Sequence, residues 1–339
     1  MKELRWGLIG ASDIAATRMV PAMRRLGHDV TAVFSSSGER AAAYAMRHEI
    51  PHSTSELELL LARDDVEAVY ISTTNQLHHP QTLAAAAAGK HILCEKPVAL
   101  SLADAWSMVR AAEASGVTLA VDHHLPGAAT HREIRRLVAA GAVGRPLAVR
   151  VFHAKKLPDH LQGWRLRDPQ AGAGVILDIT CHDASVTNAV LGQPLEAAAI
   201  AVAQGPWDTT AEDAVMTAIR YEGEVLAQTH DAFTVAHAET GLEVHGTDGS
   251  IMANEVMTQD PVGTVMLRDA SGMREIEISD RPDLYDVTLD AFTRAIRGDG
   301  EPIAGGVEGT HALALALAVL EAARSGRTVP VVTTPPEAS

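Results

Sequence analysis

The sequence predicts an α/β protein in two parts: an N-terminal Rossmann domain on a parallel sheet, then a C-terminal α+β domain with a mostly antiparallel open sheet. Three observations predict it. Short apolar runs alternate with helical patterns over residues 1–121. After about residue 145 the pattern changes to strands joined by turns. Finally, 339 residues with 47% hydrophobic content suit two cores better than one. The domains are expected at 1–122 and 123–339.

In the first part, residues 5–9, 30–34, 68–72, 91–94 and 118–121 read as buried strands. They are short, partly β-branched and closed by turn or polar residues. Between them, 14–25, 39–48, 55–63, 79–88 and 101–114 are Ala-rich and periodic enough to be helices. Such βαβ units place a ligand beyond the carboxyl ends of the strands. In the second part, 147–153, 197–203, 214–221, 225–231, 241–245, 264–268 and 274–278 read as strands. A late helix over 307–324 carries Leu313, Leu317 and Leu320 and is expected to pack back on the first domain. A Pro-rich, frayed tail is expected over 333–339.

Charge narrows the class of partner. Forty-three acidic against 28 basic side chains give a formal charge of -15, which repels nucleic-acid phosphates and anionic lipid. Nucleic acid and membrane are therefore not expected as partners. Met1-Lys2-Glu3-Leu4-Arg5 runs into the first strand without the apolar run of a secretory signal, so a cytoplasmic protein is expected. Cys94 and Cys181 have no partner pattern and are expected to be buried free thiols.

Between the first strand and helix stands Gly10-Ala11-Ser12-Asp13-Ile14-Ala15, a G-x-S-x-x-A version of the dinucleotide fingerprint. There, small residues bring backbone and pyrophosphate together at a helix N-terminus. A bare structural turn is the alternative, and placement on the first strand of a βαβ series favours the dinucleotide. An NAD site needs Asp or Glu at the end of the second strand to hold the ribose 2′-hydroxyl. Here the strand ends in Ser35, Ser36 and Ser37, with Arg40 one turn on. Hydroxyls and a guanidinium suit a 2′-phosphate, so NADP(H) is the expected cofactor. The bland reading is a serine cap and a solvated arginine.

Glu95-Lys96-Pro97 closes another strand at its carboxyl end, and Pro97 keeps Lys96 out of helical geometry. Alone, a lysine there is a surface charge. Asp178 and His182, four residues apart, fall on one face of a helix, where carboxylate and imidazole can converge on one hydroxyl or carbonyl. A helix cap and a core histidine are the alternative. With no H-E-x-x-H and no cysteine cluster, no metal is expected.

Together with Thr73-Thr74-Asn75 and His78, Glu95-Lys96-Pro97 closely resembles the hallmark of the Gfo/Idh/MocA oxidoreductases. The run Gly172-Ala173-Gly174-Val175-Ile176-Leu177-Asp178-Ile179-Thr180-Cys181-His182-Asp183 resembles that family's second signature. The resemblance covers essentially the whole chain. Stretches outside the hallmarks, among them His123-His124-Leu125, Leu161-Gln162-Gly163-Trp164-Arg165-Leu166 and Val256-Met257-Thr258-Gln259, are similar to family members that reduce sugar-derived ketones with NADPH.

By that resemblance Lys96 and His182 are catalytic and Asp178 assists. Gly10, Ala11, Ser12, Asp13, Ile14, Ser35, Ser36, Ser37, Arg40, Thr73, Thr74, Asn75, His78, Glu95 and Lys96 bind the cofactor. His153, Trp164, Arg165, Asp178 and His182 line the substrate pocket. Trp164 and Arg165 also suit a polyol on their own chemistry, an aromatic face for ring C–H groups and a guanidinium for oxygens. A core Trp with a surface Arg is the plain alternative. Oxidation of an inositol, levoglucosan or another sugar remains the second reading of the reaction, and a non-catalytic dinucleotide sensor the third. A small-molecule, sugar-derived substrate and a monomer or small homo-oligomer are expected.

Overall fold

The computed structural model describes residues 3–209 and 211–335. Its first part runs β1 (Arg5–Ile9), α1 (Val20–Arg25), β2 (Asp29–Phe34), α2 (Gly38–Arg47), β3 (His52–Thr54) and α3 (Leu57–Leu61). It continues through β4 (Ala68–Ile71), α4 (His78–Ala87), β5 (His91–Cys94), α5 (Leu102–Ser115) and β6 (Leu119–Val121). The strands form one parallel sheet in the order β3-β2-β1-β4-β5-β6. Strand order reverses at β1 and β4, where an open α/β sheet leaves a crevice for ligand. Every residue of β4 is buried, as a central strand covered on both faces requires.

Two departures from the predicted elements have local causes. The expected helix over 14–25 is interrupted by a π-helical stretch, Ala15–Met19, before α1. Pro21 offers no N–H, and its ring crowds the carbonyl four residues back, which accounts for the widened turn. Strand β3 is only His-Ser-Thr and largely exposed, so it carries no apolar alternation to read.

The second part runs α6 (Ala129–Ala139), β7 (Pro146–Ala154), α7 (Trp164–Arg167), α8 (Cys181–Leu191), β8 (Pro194–Val202), β9 (Ala214–Tyr221) and β10 (Val225–Ala232). Then follow β11 (Gly241–Gly246), β12 (Gly249–Asn254), β13 (Thr264–Asp269) and β14 (Gly272–Glu275). Among the described residues only β7 and β10 pair in parallel within this sheet; its other neighbours are antiparallel. Helix α8 packs against β7 and β10 and is buried at every position from Cys181 to Thr187.

The chain closes with α9 (Leu284–Ile296), α10 (Gly306–Ser325) and β15 (Val329–Pro330), the last pairing with β8. Two compact units result. Residues 3–124 and Tyr285–Thr310 form the first; Leu125–Leu284 and His311–Thr334 form the second. Tyr285, Leu289 and Phe292 of α9 complete the core around Trp6, Leu8 and Tyr70, with the Trp6 and Phe292 rings 5.4 Å apart. Gly309 lies so close to β6 that a Cβ there would stand 2.3 Å from Cγ2 of Val121.

By length and composition α10 could cross a membrane, yet 61% of its apolar window is buried within the fold. Cys94 and Cys181 are both buried, and among the described residues neither forms a disulfide. Of the tail expected over 333–339, residues 336–339 lie outside the described residues.

Candidate active site

At the end of β1, Gly10 adopts φ +120°, and a Cβ there would sit 3.0 Å from the backbone of Ser72. Only glycine holds that turn without strain. Ser12, standing where the fingerprint has its second glycine, receives the Ala15 N–H at 3.1 Å on its hydroxyl and donates to Ser72 Oγ at 2.7 Å. It therefore caps the helix and ties β1 to β4 across the switch point. Tyr44 donates to the Ser12 carbonyl at 3.1 Å.

At the end of β2 the serine turn is already ordered around Arg40. Its Nε donates to Ser35 Oγ at 2.7 Å and a terminal nitrogen to Ser36 Oγ at 3.1 Å, while Ser37 caps α2. Ser35 is buried; Ser36, Ser37 and Arg40 are exposed. Hydroxyls and guanidinium thus converge on one accessible turn with no carboxylate at its tip. Both turns fit a phosphorylated dinucleotide: one is a cradle that a side chain would fill, the other a set of donors.

Glu95 and Lys96 stand half-buried at the end of β5. Glu95 accepts from Tyr70 through Oε1 at 2.5 Å and from the Lys96 N–H through Oε2 at 3.2 Å. Beneath them Asp122 is fully buried, and its carboxyl is held well above the usual range, first by burial and then by the charge of Glu95, to which it hydrogen bonds. His123 is driven down to about 3, by burial and then by the Lys96 charge, and is neutral at pH 7. His78 spans two carbonyls, Pro97 at 2.9 Å and Thr73 at 3.2 Å, and so links the loop after β4 to the one after β5. Thr73 donates to Gln81 at 2.6 Å, and Asn75 is buried.

The second unit gathers the other predicted side chains. A π-helical stretch, Ile176–Thr180, runs into α8, so Asp178 and His182 do not share one regular α-helical face as the spacing predicts. Arg165 approaches the Asp178 carboxylate at 3.3 Å and covers the Trp164 ring at 4.7 Å from its centroid. His182 lies beside His153, ring centroids 6.2 Å apart. His153 Nδ1 and Asp183 Oδ1 are hydrogen bonded at 2.7 Å, and Asp183 is itself hydrogen bonded to Asp231.

Residues 4–123 match the oxidoreductase family, NAD-binding Rossmann fold, of Gfo/Idh/MocA, and residues 131–252 match the Gfo/Idh/MocA C-terminal domain. A 1,5-anhydro-D-fructose reductase of Ensifer adhaerens is 52% identical over 97% of this chain and 99% of its own length. The chain belongs to the Gfo/Idh/MocA oxidoreductase family. A D-xylose 1-dehydrogenase (NADP(+)) 2 of Haloferax volcanii is 28% identical over 96% of this chain and 99% of its own. The crystal structure of an aldose-aldose oxidoreductase from Caulobacter crescentus, complexed with glycerol, superposes with a TM-score of 0.88. It is 26% identical and covers 97% of this chain and 100% of that one.

This Gfo/Idh/MocA chain also holds acid groups that the sequence reading passed over: Asp122, Asp183 and Asp231. Signals for them were present. Asp122 follows a strand at its carboxyl end. Asp183 is a charge inside an otherwise mostly apolar helix. Asp231 follows Val225, Ala227 and Thr229 on the buried face of β10.

Proposed function

We propose that this enzyme is an NADP(H)-dependent reductase of a sugar-derived ketone, converting 1,5-anhydro-D-fructose to 1,5-anhydro-D-mannitol. One observation carries the reading, the near full-length 52% identity to the Ensifer reductase. Residues 1–122 serve the dinucleotide and 123–339 the substrate. Gly10, Ala11, Ser12, Asp13 and Ile14 approach the pyrophosphate, and Ser35, Ser36, Ser37 and Arg40 take the 2′-phosphate. Thr73, Thr74, Asn75, His78 and Glu95 complete that site. NADPH, when bound, supplies the hydride.

The chain's own part is to manage charge and protons. Lys96 polarises the ketone, and the charge gathering on its oxygen is met by a proton from His182 or Lys96, a contribution of about 10²- to 10⁴-fold. Asp178 and Arg165 orient the substrate hydroxyls, Trp164 covers ring C–H groups, and His153 binds beside His182. The enzyme acts in the cytoplasm, as a monomer or small homo-oligomer.

The test is NADPH oxidation over 1,5-anhydro-D-fructose and simple ketoses, beside NADP+ reduction with D-xylose, levoglucosan and inositols. Fastest turnover with 1,5-anhydro-D-fructose supports the reading. Turnover confined to the oxidative assays replaces it with a dehydrogenase, which the D-xylose 1-dehydrogenase relationship favours as the second reading. Binding of NADPH without turnover in any assay leaves a dinucleotide sensor.

A further inference from the structure

Behind His153 lies a pair of acids that no role yet accounts for. Asp183 on α8 and Asp231 on β10 are both fully buried. Asp231 Oδ2 accepts from Thr180 at 2.5 Å and from Thr229 at 3.1 Å, and Asp183 Oδ1 stands in a hydrogen bond with His153 Nδ1 at 2.7 Å. The two remaining oxygens, Asp183 Oδ2 and Asp231 Oδ1, receive no donor among the described residues. Two ionised carboxylates could not leave such atoms facing one another in the interior. A single proton between them satisfies both, and the two side chains are hydrogen bonded once one is protonated.

We propose that Asp183 is a positioning residue for catalysis: one proton bridges Asp183 and Asp231, and the charge left at Asp183 Oδ1 holds His153 with its proton on Nδ1 and its lone pair on Nε2. This rests on the reading of His153 as part of the substrate site. Nε2 of His153 is then an acceptor for a substrate hydroxyl, next to His182, rather than a second donor competing with it. The surrounding groups leave the pair its charge. His131 on α6 is held down to about 4 by burial and stays neutral, and Tyr221 on β9, pushed up by burial, keeps its proton. His182, beside His153, is a further titratable neighbour. Burial raises Asp183 to about 7 and holds Asp231 well above the ordinary carboxyl range, which favours one shared proton over two ionised carboxylates.

The test has two arms on the full chain. In the first, two-bond proton–nitrogen spectra of the 15N-labelled protein at pH 8 report the tautomer of each of its 16 histidines, with His153 assigned from H153Q. The expected His153 signal is Nδ1 protonated and Nε2 bare. An Nε2–H tautomer or an imidazolium overturns the proposal. In the second arm, D231N imitates the protonated partner, since its amide donates to Asp183 and its carbonyl accepts from Thr180 and Thr229. D231N is expected to keep kcat within about threefold, and D183A to lose at least about tenfold in kcat with the KM for NADPH unmoved. Equal losses in D231N and D183A, or an unchanged kcat in D183A, overturn it. If D183A does not fold, the tautomer and D231N still decide. A wild-type protein inert on every sugar ketone defeats the proposed function alone, because the spectra do not depend on turnover.

Discussion

Each unit keeps two carboxyl groups behind a side chain assigned to chemistry, and the two pairs differ in their access to solvent. Glu95 stands half-buried beside Lys96, with Tyr70 and the Lys96 N–H on its two oxygens, and only Asp122 beneath it is sealed. Asp183 and Asp231 are sealed together under His153. Burial raises the acid in every sealed position, so what differs is the neighbour that receives the charge. In the first unit it is placed beside a cation, and in the second beside an imidazole whose tautomer it selects.

Removing the cation is the strongest test of that difference. K96A should lower kcat/KM for the sugar ketone by about 10²- to 10⁴-fold, measured by NADPH oxidation, and near-normal turnover would take Lys96 out of the chemistry. Arg40 belongs to the first unit but touches neither pair. R40A should raise the KM for NADPH about ten- to a hundredfold while that for NADH barely moves; parallel changes would remove the phosphate assignment.

A smaller effect separates the pairs themselves. D122N can still donate to Glu95 and should retain kcat within about threefold, whereas D122A should lose about tenfold; similar losses in both would mean that the ionised Asp122 matters.

The smallest effect is on stability, and its sign follows from proton uptake. Asp183, at about 7 when folded against an ordinary 3.8, binds more protons in the folded chain between those values. Its contribution therefore weakens as pH rises from about 4 to about 7 and is level above. His123, at about 3 against 6.5, does the opposite, costing stability as pH falls through that window. The Tm of D183N relative to the wild type should therefore climb between pH 5 and pH 8, and a constant difference would show that Asp183 does not titrate there.

The two sheets and the candidate residues were legible because each rests on local chemistry. Alternating apolar runs mark β1, β2, β4 and β5, Gly10 marks the turn, and Glu95-Lys96-Pro97 marks a strand end. Less legible were elements whose pattern is set by distant packing. Strand β12 carries little local signal, and the π-helical turn before α8 breaks the four-residue spacing that puts Asp178 and His182 on one face; helix α6, by contrast, shows its buried side in Thr130, Ile134 and Leu137 and was passed over. The buried pairs were harder still. Asp183 and Asp231 lie 48 positions apart (231 − 183), and nothing local shows that one proton could serve both.

The contribution of α9 to the first core has a consequence for how the protein is made. Trp6, Leu8 and Tyr70 leave the ribosome long before Tyr285, Leu289 and Phe292, which complete their packing, and residues 125–284 must be translated in between. At 5–20 residues per second that interval is on the order of ten seconds or more. Throughout it the nascent sheet carries an uncovered apolar face, the kind of surface that chaperones bind and that a truncated N-terminal fragment would keep permanently.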